Sequence, residues 1–138
     1  MNLRQCLPIA AAFVFLTACG CGGPLVSASG RLTHKGQPVP STIVTFWPEE
    51  EGKRASVGVT DDDGNFKLKF STTEDGVYRG KHIVFLKYYV TVEEELNKIP
   101  PKASKDIKAA LAKYGDVKTS PLRYEITKGG QHFDIAIE

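Results

Sequence analysis

The chain reads as an all-β protein, an antiparallel Greek-key β-sandwich of about seven strands with one amphipathic helix inserted near residues 104–114. Three observations predict it. Short runs rich in β-branched and aromatic residues recur at sandwich spacing, separated by Gly, Pro and Asp turns. Asp61-Asp62-Asp63-Gly64 stands between two such runs as a hairpin signal. Phe66-Lys67-Leu68-Lys69-Phe70 alternates with a period of two, which sends the apolar side chains to one face and the lysines to the other.

The elements follow in order. Val26 to Thr33 alternates loosely and ends in the turn cluster His34-Lys35-Gly36-Gln37-Pro38. Thr42-Ile43-Val44-Thr45-Phe46-Trp47 is a strand by composition, and Pro48 ends it. Ala55 to Thr60 and Asn65 to Phe70 flank the aspartate turn as a hairpin. Thr72 to Gly80 is a second turn region, with Gly76 and Gly80 at special dihedrals. Lys81 to Val92 is the longest strand candidate, and Ile83-Val84-Phe85-Leu86 predicts burial on both faces. Leu122 to Thr127 and His132 to Ile137 read as a last pair around Lys128-Gly129-Gly130. In the helix, Ile107, Leu111 and Tyr114 recur at helical spacing, Ser104 caps the start and Gly115 closes the end.

The N-terminal residues give location rather than chemistry. A positive start at Arg4, an apolar run from Leu7 to Leu16 and small residues before a cut define a secretory signal. Leu16-Thr17-Ala18-Cys19-Gly20 resembles a lipobox, in which the cysteine is acylated and becomes the new N-terminus. The apolar run is about half the 20 residues a membrane span needs. The division expected is therefore a lipoprotein signal over residues 1–18, a lipidated Gly-rich tether over 19–24 and a β-sandwich domain over 25–138. Cleavage after Ala18 without lipid is the alternative. Lipid on Cys19 makes the membrane a partner and the cell envelope the location. Gly20, where an aspartate would mark inner-membrane retention, points to the outer membrane. Cys21 is then the one other cysteine left, an incidental thiol, an intermolecular disulfide or a second acylation site.

Composition excludes several classes. Loss of Arg4 with the signal leaves 17 basic against 16 acidic residues, a net charge of +1. With no Lys/Arg block besides, there is no electrostatic footprint for nucleic acid. His34, His82 and His132 are isolated, with no metal-ligand spacing, so neither metal nor cofactor is expected. The serines lack a nucleophile-elbow pattern. The paired carboxylates lie in charged runs, Glu49 to Glu51 and Glu93 to Glu95, which read as solvated faces rather than acid/base dyads. The chain is not read as an enzyme.

From Gly30 onward the motifs resemble the carboxypeptidase regulatory-like family. They are Gly30-Arg31-Leu32, Lys35-Gly36-Gln37-Pro38-Val39, Val44-Thr45-Phe46 with Pro48, Thr60-Asp61-Asp62-Asp63-Gly64-Asn65-Phe66, and Gly80-Lys81-His82-Ile83-Val84. Ile99-Pro100-Pro101, Thr119-Ser120-Pro121-Leu122 and Phe133-Asp134-Ile135 are similar to small bacterial lipoproteins carrying this domain alone. The resemblance implies a transthyretin-like (Ig-like) sandwich and no catalysis. The helix at 104–114 departs from the shorter lipoproteins.

Two candidate sites stand out. Asp61, Asp63 and Gly64 form a structural turn, since aspartates bond to the backbone and Gly64 supplies positive φ. Asp61 to Asp63 lack the distant bidentate glutamate that a calcium loop needs. Trp47 falls opposite to Val44 and Phe46, so with Tyr88 or Tyr89 nearby it could anchor a protein or stack a sugar. The competing reading packs Trp47 under the acidic loop or beneath the helix. The function expected is a protein-binding or structural module whose partner is an envelope protein, or alternatively a glycan-binding module for polysaccharide.

Overall fold

The computed structural model describes residues 23–99 and 101–138, and the signal and lipidation readings at residues 1–22 lie outside them. The fold is an all-β sandwich. One layer contains β2 (Ala28–His34), with β10 (Gln131–Ile137) on one side and β3 (Gln37–Pro38) and β6 (Asn65–Lys67) on the other. The second layer runs β5 (Ser56–Val59), β4 (Thr42–Pro48), β8 (Gly80–Tyr88), β9 (Leu122–Ile126). A small ribbon pairs β1 (Leu25–Val26) with β7 (Val77–Tyr78).

Alternation builds the core. Val44 and Phe46 from β4, Val84 and Leu86 from β8, and Ile126 from β9 meet Ala28, Leu32, Phe66, Leu68, Phe133, Ile135 and Ile137 from the opposing layer. Phe46 sits at the centre, its ring 5.5 Å from Phe133 and 6.4 Å from Phe66. Burial of this apolar surface is the main favourable term, worth about 25 cal/mol per Å² removed from water. Gly30 makes room within its own layer for the Phe66 ring: a Cβ there would lie 2.4 Å from that ring and from the Phe133 carbonyl oxygen, both on strands paired with β2.

The structure departs from the sequence reading in several places, two of them in strand pairing. Leu122–Ile126 and Gln131–Ile137 do not pair with each other: β9 joins β8, and β10 joins β2. The intervening turn crosses between layers, so both strands point apolar residues into one core from opposite sides. It also makes β10 parallel to β2, in sheets that are otherwise antiparallel. Gly130, at φ +75, fixes the crossing by donating its N–H to the Ser27 carbonyl.

The Asp-Gly hairpin opens likewise. Its turn forms, with Gly64 N–H to Asp61 O at 3.0 Å, but β5 belongs to one layer and β6 to the other, and an isolated Val57–Lys69 bridge follows just past β6. The expected full burial of β8 holds on the inner face alone; Ile83 and Phe85 are half-buried. Beyond Tyr88 the chain leaves the strand and makes a short helix, α1 (Val92–Glu95), where the sequence reading continues the strand to Val92.

Helix α2 (Lys105–Ala112) forms where Ser104 accepts from the Ile107 N–H. Leu111 enters the core, with Ile107 and Tyr114 packed against it. Lys113 is the C-cap, and Gly115 takes no positive φ, so the glycine does not close the helix. Past Val84, where pairing with β9 stops, the Tyr114 carbonyl accepts the Leu86 N–H at 2.8 Å. The helix exit thus substitutes for the missing strand.

Candidate functional site

The outer face of the second layer is where the molecule leaves apolar side chains in water. Period two places Ile43, Thr45 and Trp47 on that face of β4. Register sets Val59 beside Ile43, Val57 and Phe85 beside Thr45, and Ile83 beside Trp47. Trp47 is 48 % exposed, and Val57 and Val59 are exposed with it. Neither the acidic loop nor the helix covers Trp47. It borders a shallow depression of ≈ 360 Å³ shared with Pro48, Glu49, Ile83, Val117, Lys118 and Arg123. Arg123 Nε lies 3.5 Å from Glu49 Oε1, so the rim is polar and charged.

Tyr88 and Tyr89 are not part of this surface. Tyr88 stands opposite Thr42, five positions along β4 from Trp47, about 17 Å at strand rise. Its side chain packs against the core, on the other side of the sheet. Lys108 Nζ lies 4.5 Å from its ring centre, and its hydroxyl donates to Glu94 Oε1 at 3.0 Å. Burial and then this carboxylate raise the Tyr88 pKa. Tyr89 is exposed at the same end, its N–H bonded to the Ser41 carbonyl.

Glu94 corrects the expectation of a solvated acidic run, for it is only 7 % exposed. Its carboxylate accepts from the Lys102 N–H at 3.0 Å and the Thr91 N–H at 3.3 Å, while Thr91 Oγ1 accepts from the Glu94 N–H. This is a capping box, and Thr91-Val92-Glu93-Glu94 carries its sequence signature. The Lys102 N–H above all holds the Glu94 carboxyl below its ordinary pKa.

The aspartate turn has divided duties. Asp61 Oδ1 accepts from the Asp63 and Asn65 N–H groups at 3.0 and 2.9 Å. Asp62 pairs with Lys102 Nζ at 3.0 Å. Asp63 contributes its carbonyl, which accepts from Arg31 Nε. Gly64 has φ +79, and a Cβ there would lie 2.4 Å from the Leu32 carbonyl oxygen. Asp61, Asp63 and Gly64 therefore act as turn architecture, while the Asp62 side chain serves an ion pair.

His82 is a buried group that the sequence reading left unassigned. It is 1 % exposed, its Nδ1 lies 2.9 Å from the Gly80 carbonyl, and its Nε2 has no protein partner. The Phe46 ring lies 5.9 Å away. Desolvation lowers its pKa below the ordinary 6.5. Strand parity alone signals it, since His82, Val84 and Leu86 share one face.

Among the described residues no three His, Cys, Asp or Glu side chains gather as a metal site would require. Nor is any helix among them long and apolar enough to cross a membrane.

No family model matches the chain, and no curated protein does. It is similar to the crystal structure of a DUF3823 family protein from Parabacteroides merdae, at 10 % identity and TM-score 0.47, over 84 % of this chain and 47 % of that one. A second likeness, to a 9R-lipoxygenase from Cyanothece, has 13 % identity and TM-score 0.29 over 81 % of this chain and 16 % of that one. The chain thus spans about half the length of the first and under a fifth of the second.

Proposed function

We propose that the protein is a non-catalytic, lipid-anchored envelope lipoprotein whose sandwich, of the carboxypeptidase regulatory-like kind, binds a protein partner. The observation that carries the binding role is the outer face of β5-β4-β8, along which Trp47, Val57 and Val59 are exposed. A folded domain loses solubility by leaving such a face open, and aromatic residues on such faces are the usual anchors of interfaces. Cys19 in its lipobox supplies the anchor, with the outer membrane as the location.

The test places a photoreactive residue at Val57 in the anchored protein in intact cells, with Lys67 as the control position on the other layer. A single dominant protein adduct from Val57, absent from Lys67, is the expected result. Adducts equally dispersed from both positions would overturn the reading.

One observation favours a second reading. Trp47 over a shallow depression with Glu49, Lys118 and Arg123 combines a stacking ring with polar groups, as a sugar ring requires. Under that reading oligosaccharides from wall or extracellular polysaccharide shift Trp47 fluorescence, and Trp47→Ala abolishes their binding. Unchanged binding by that variant would remove it.

A further inference from the structure

A turn of helix at one end of the sandwich is folded inside out. In α1 the charged Glu94 points inward at 7 % exposure, while Val92 and Leu96 point to water at 67 % and 59 %. At 100° per residue, Val92 and Leu96 lie on the side of the turn opposite Glu94 and about 40° apart. Their neighbours Val90 and Ile99 are exposed too. The turn is tied to the end of β8 and to residue 102 by the Glu94 carboxylate, which accepts from Tyr88 Oη, Thr91 N and Lys102 N. Nothing in this architecture needs Val92 or Leu96 to be apolar. Rigid presentation of exposed apolar groups lowers the entropy cost of binding.

Charge and position say what covers them. Glu93 and Glu95 flank the apolar pair, both exposed, and among the described residues neither has an ion-pair partner. Of the exposed cations close in sequence, Lys98 alone lies within three residues of the pair, and Lys102 is already paired with Asp62. The rim is therefore acidic, which repels anionic lipid and attracts lysine or arginine. The turn also lies at the far end of the domain from the tether. β2 begins at Ala28 beside Gln131 and ends at His34 beside Ile137; α2 borders a depression with His34 and sets Lys108 over the Tyr88 ring, which places Tyr88 at that second end. Seven residues of β2 span about 23 Å, and the six-residue tether at most about 20 Å.

We infer that Val92 and Leu96, rimmed by Glu93 and Glu95, dock an apolar protein segment flanked by basic side chains, on the side of the domain facing away from the anchoring membrane. The orientation rests on the proposed anchor at Cys19; the docking chemistry does not. This surface is separate from the Trp47 face.

The test uses the full chain carrying Cys19→Ser, so that no lipid is attached, and follows its backbone amides by NMR. Four probes are titrated: a leucine-rich peptide flanked by lysines, the same core flanked by glutamates, and phosphatidylglycerol and phosphatidylcholine vesicles. Saturable shifts confined to residues 90–99 are expected with the lysine-flanked peptide, at least about tenfold tighter than with the other. Val92→Ser with Leu96→Ser should weaken that binding about tenfold or more while the rest of the spectrum stays unchanged. Glu93→Lys with Glu95→Lys should reverse the peptide preference. Equal affinity for both peptides, no shift at 90–99, or shifts from vesicles alone would each overturn the inference. Labelled fatty-acid incorporation in the wild-type chain reads the anchor separately: its failure removes the orientation and leaves the peptide result standing.

Discussion

The Tyr88 hydroxyl and the Glu94 carboxylate meet at 3.0 Å, tying the end of the central strand to the turn that follows it. Through Glu94 the bond reaches the Thr91 and Lys102 amides, so one carboxylate closes the whole 88–102 excursion.

Glu94→Ala should release that excursion without unfolding the sandwich. Amide hydrogen exchange is expected to accelerate at Thr91 and Lys102 and to stay slow in β4 and β8. Acid should do the same to the unaltered protein. A carboxyl whose folded pKa is depressed contributes fully above its unfolded value, and that contribution is lost as pH falls through the folded one. Exchange at Lys102 that is indifferent to both changes would remove Glu94 from this role.

His82 makes a prediction in a different pH window. Burial lowers its folded pKa below 6.5, so below that pH the unfolded chain takes up a proton that the folded one resists. Stability is therefore full above 6.5 and declines as pH drops below it. The bond to the Gly80 carbonyl, and to a lesser extent Glu49, partly offset this, and Lys53 adds to it. His82→Phe, close in volume and beside Phe46, should flatten the decline between pH 7 and 5 in denaturant titrations.

Two glycines should respond unequally to alanine. Gly30→Ala drives a methyl into the Phe133 carbonyl and the Phe66 ring, an overpacking that costs about 3 kcal/mol or more. Gly36→Ala meets open space, so only its φ of +80 is penalised, by about 1–2 kcal/mol. Urea unfolding of the two variants checks the ranking.

Leu111→Ala and Trp47→Ala separate packing from presentation. Leu111 is buried where α2 enters the core, and its truncation should cost about 2–5 kcal/mol. Trp47 is half exposed, so its loss should change stability by about 1 kcal/mol or less while altering whatever binds that face. A strongly destabilised Trp47→Ala would make it a packing residue.

The sequence by itself determined the fold class, because alternation is local. A period of two across Phe66 to Phe70 or Phe133 to Ile137 dictates which side chains are buried, whichever strand lies beside them. Local chemistry likewise fixed the Asp61 turn with Gly64 and the Ser104 cap, while it left Trp47 between exposure and packing, which only the fold resolved. Only the tertiary structure decided which strands pair. Alternation names a buried face but not the layer that receives it, so two adjacent runs, β9 and β10, read equally well as a hairpin or as a crossing between layers. The same limit hid the distance between Trp47 and Tyr88, which depends on register. It also hid the burial of Glu94: Thr91 three residues before it marks a capping box, but only the convergence of Tyr88 and Lys102 on the same carboxylate turns it inward.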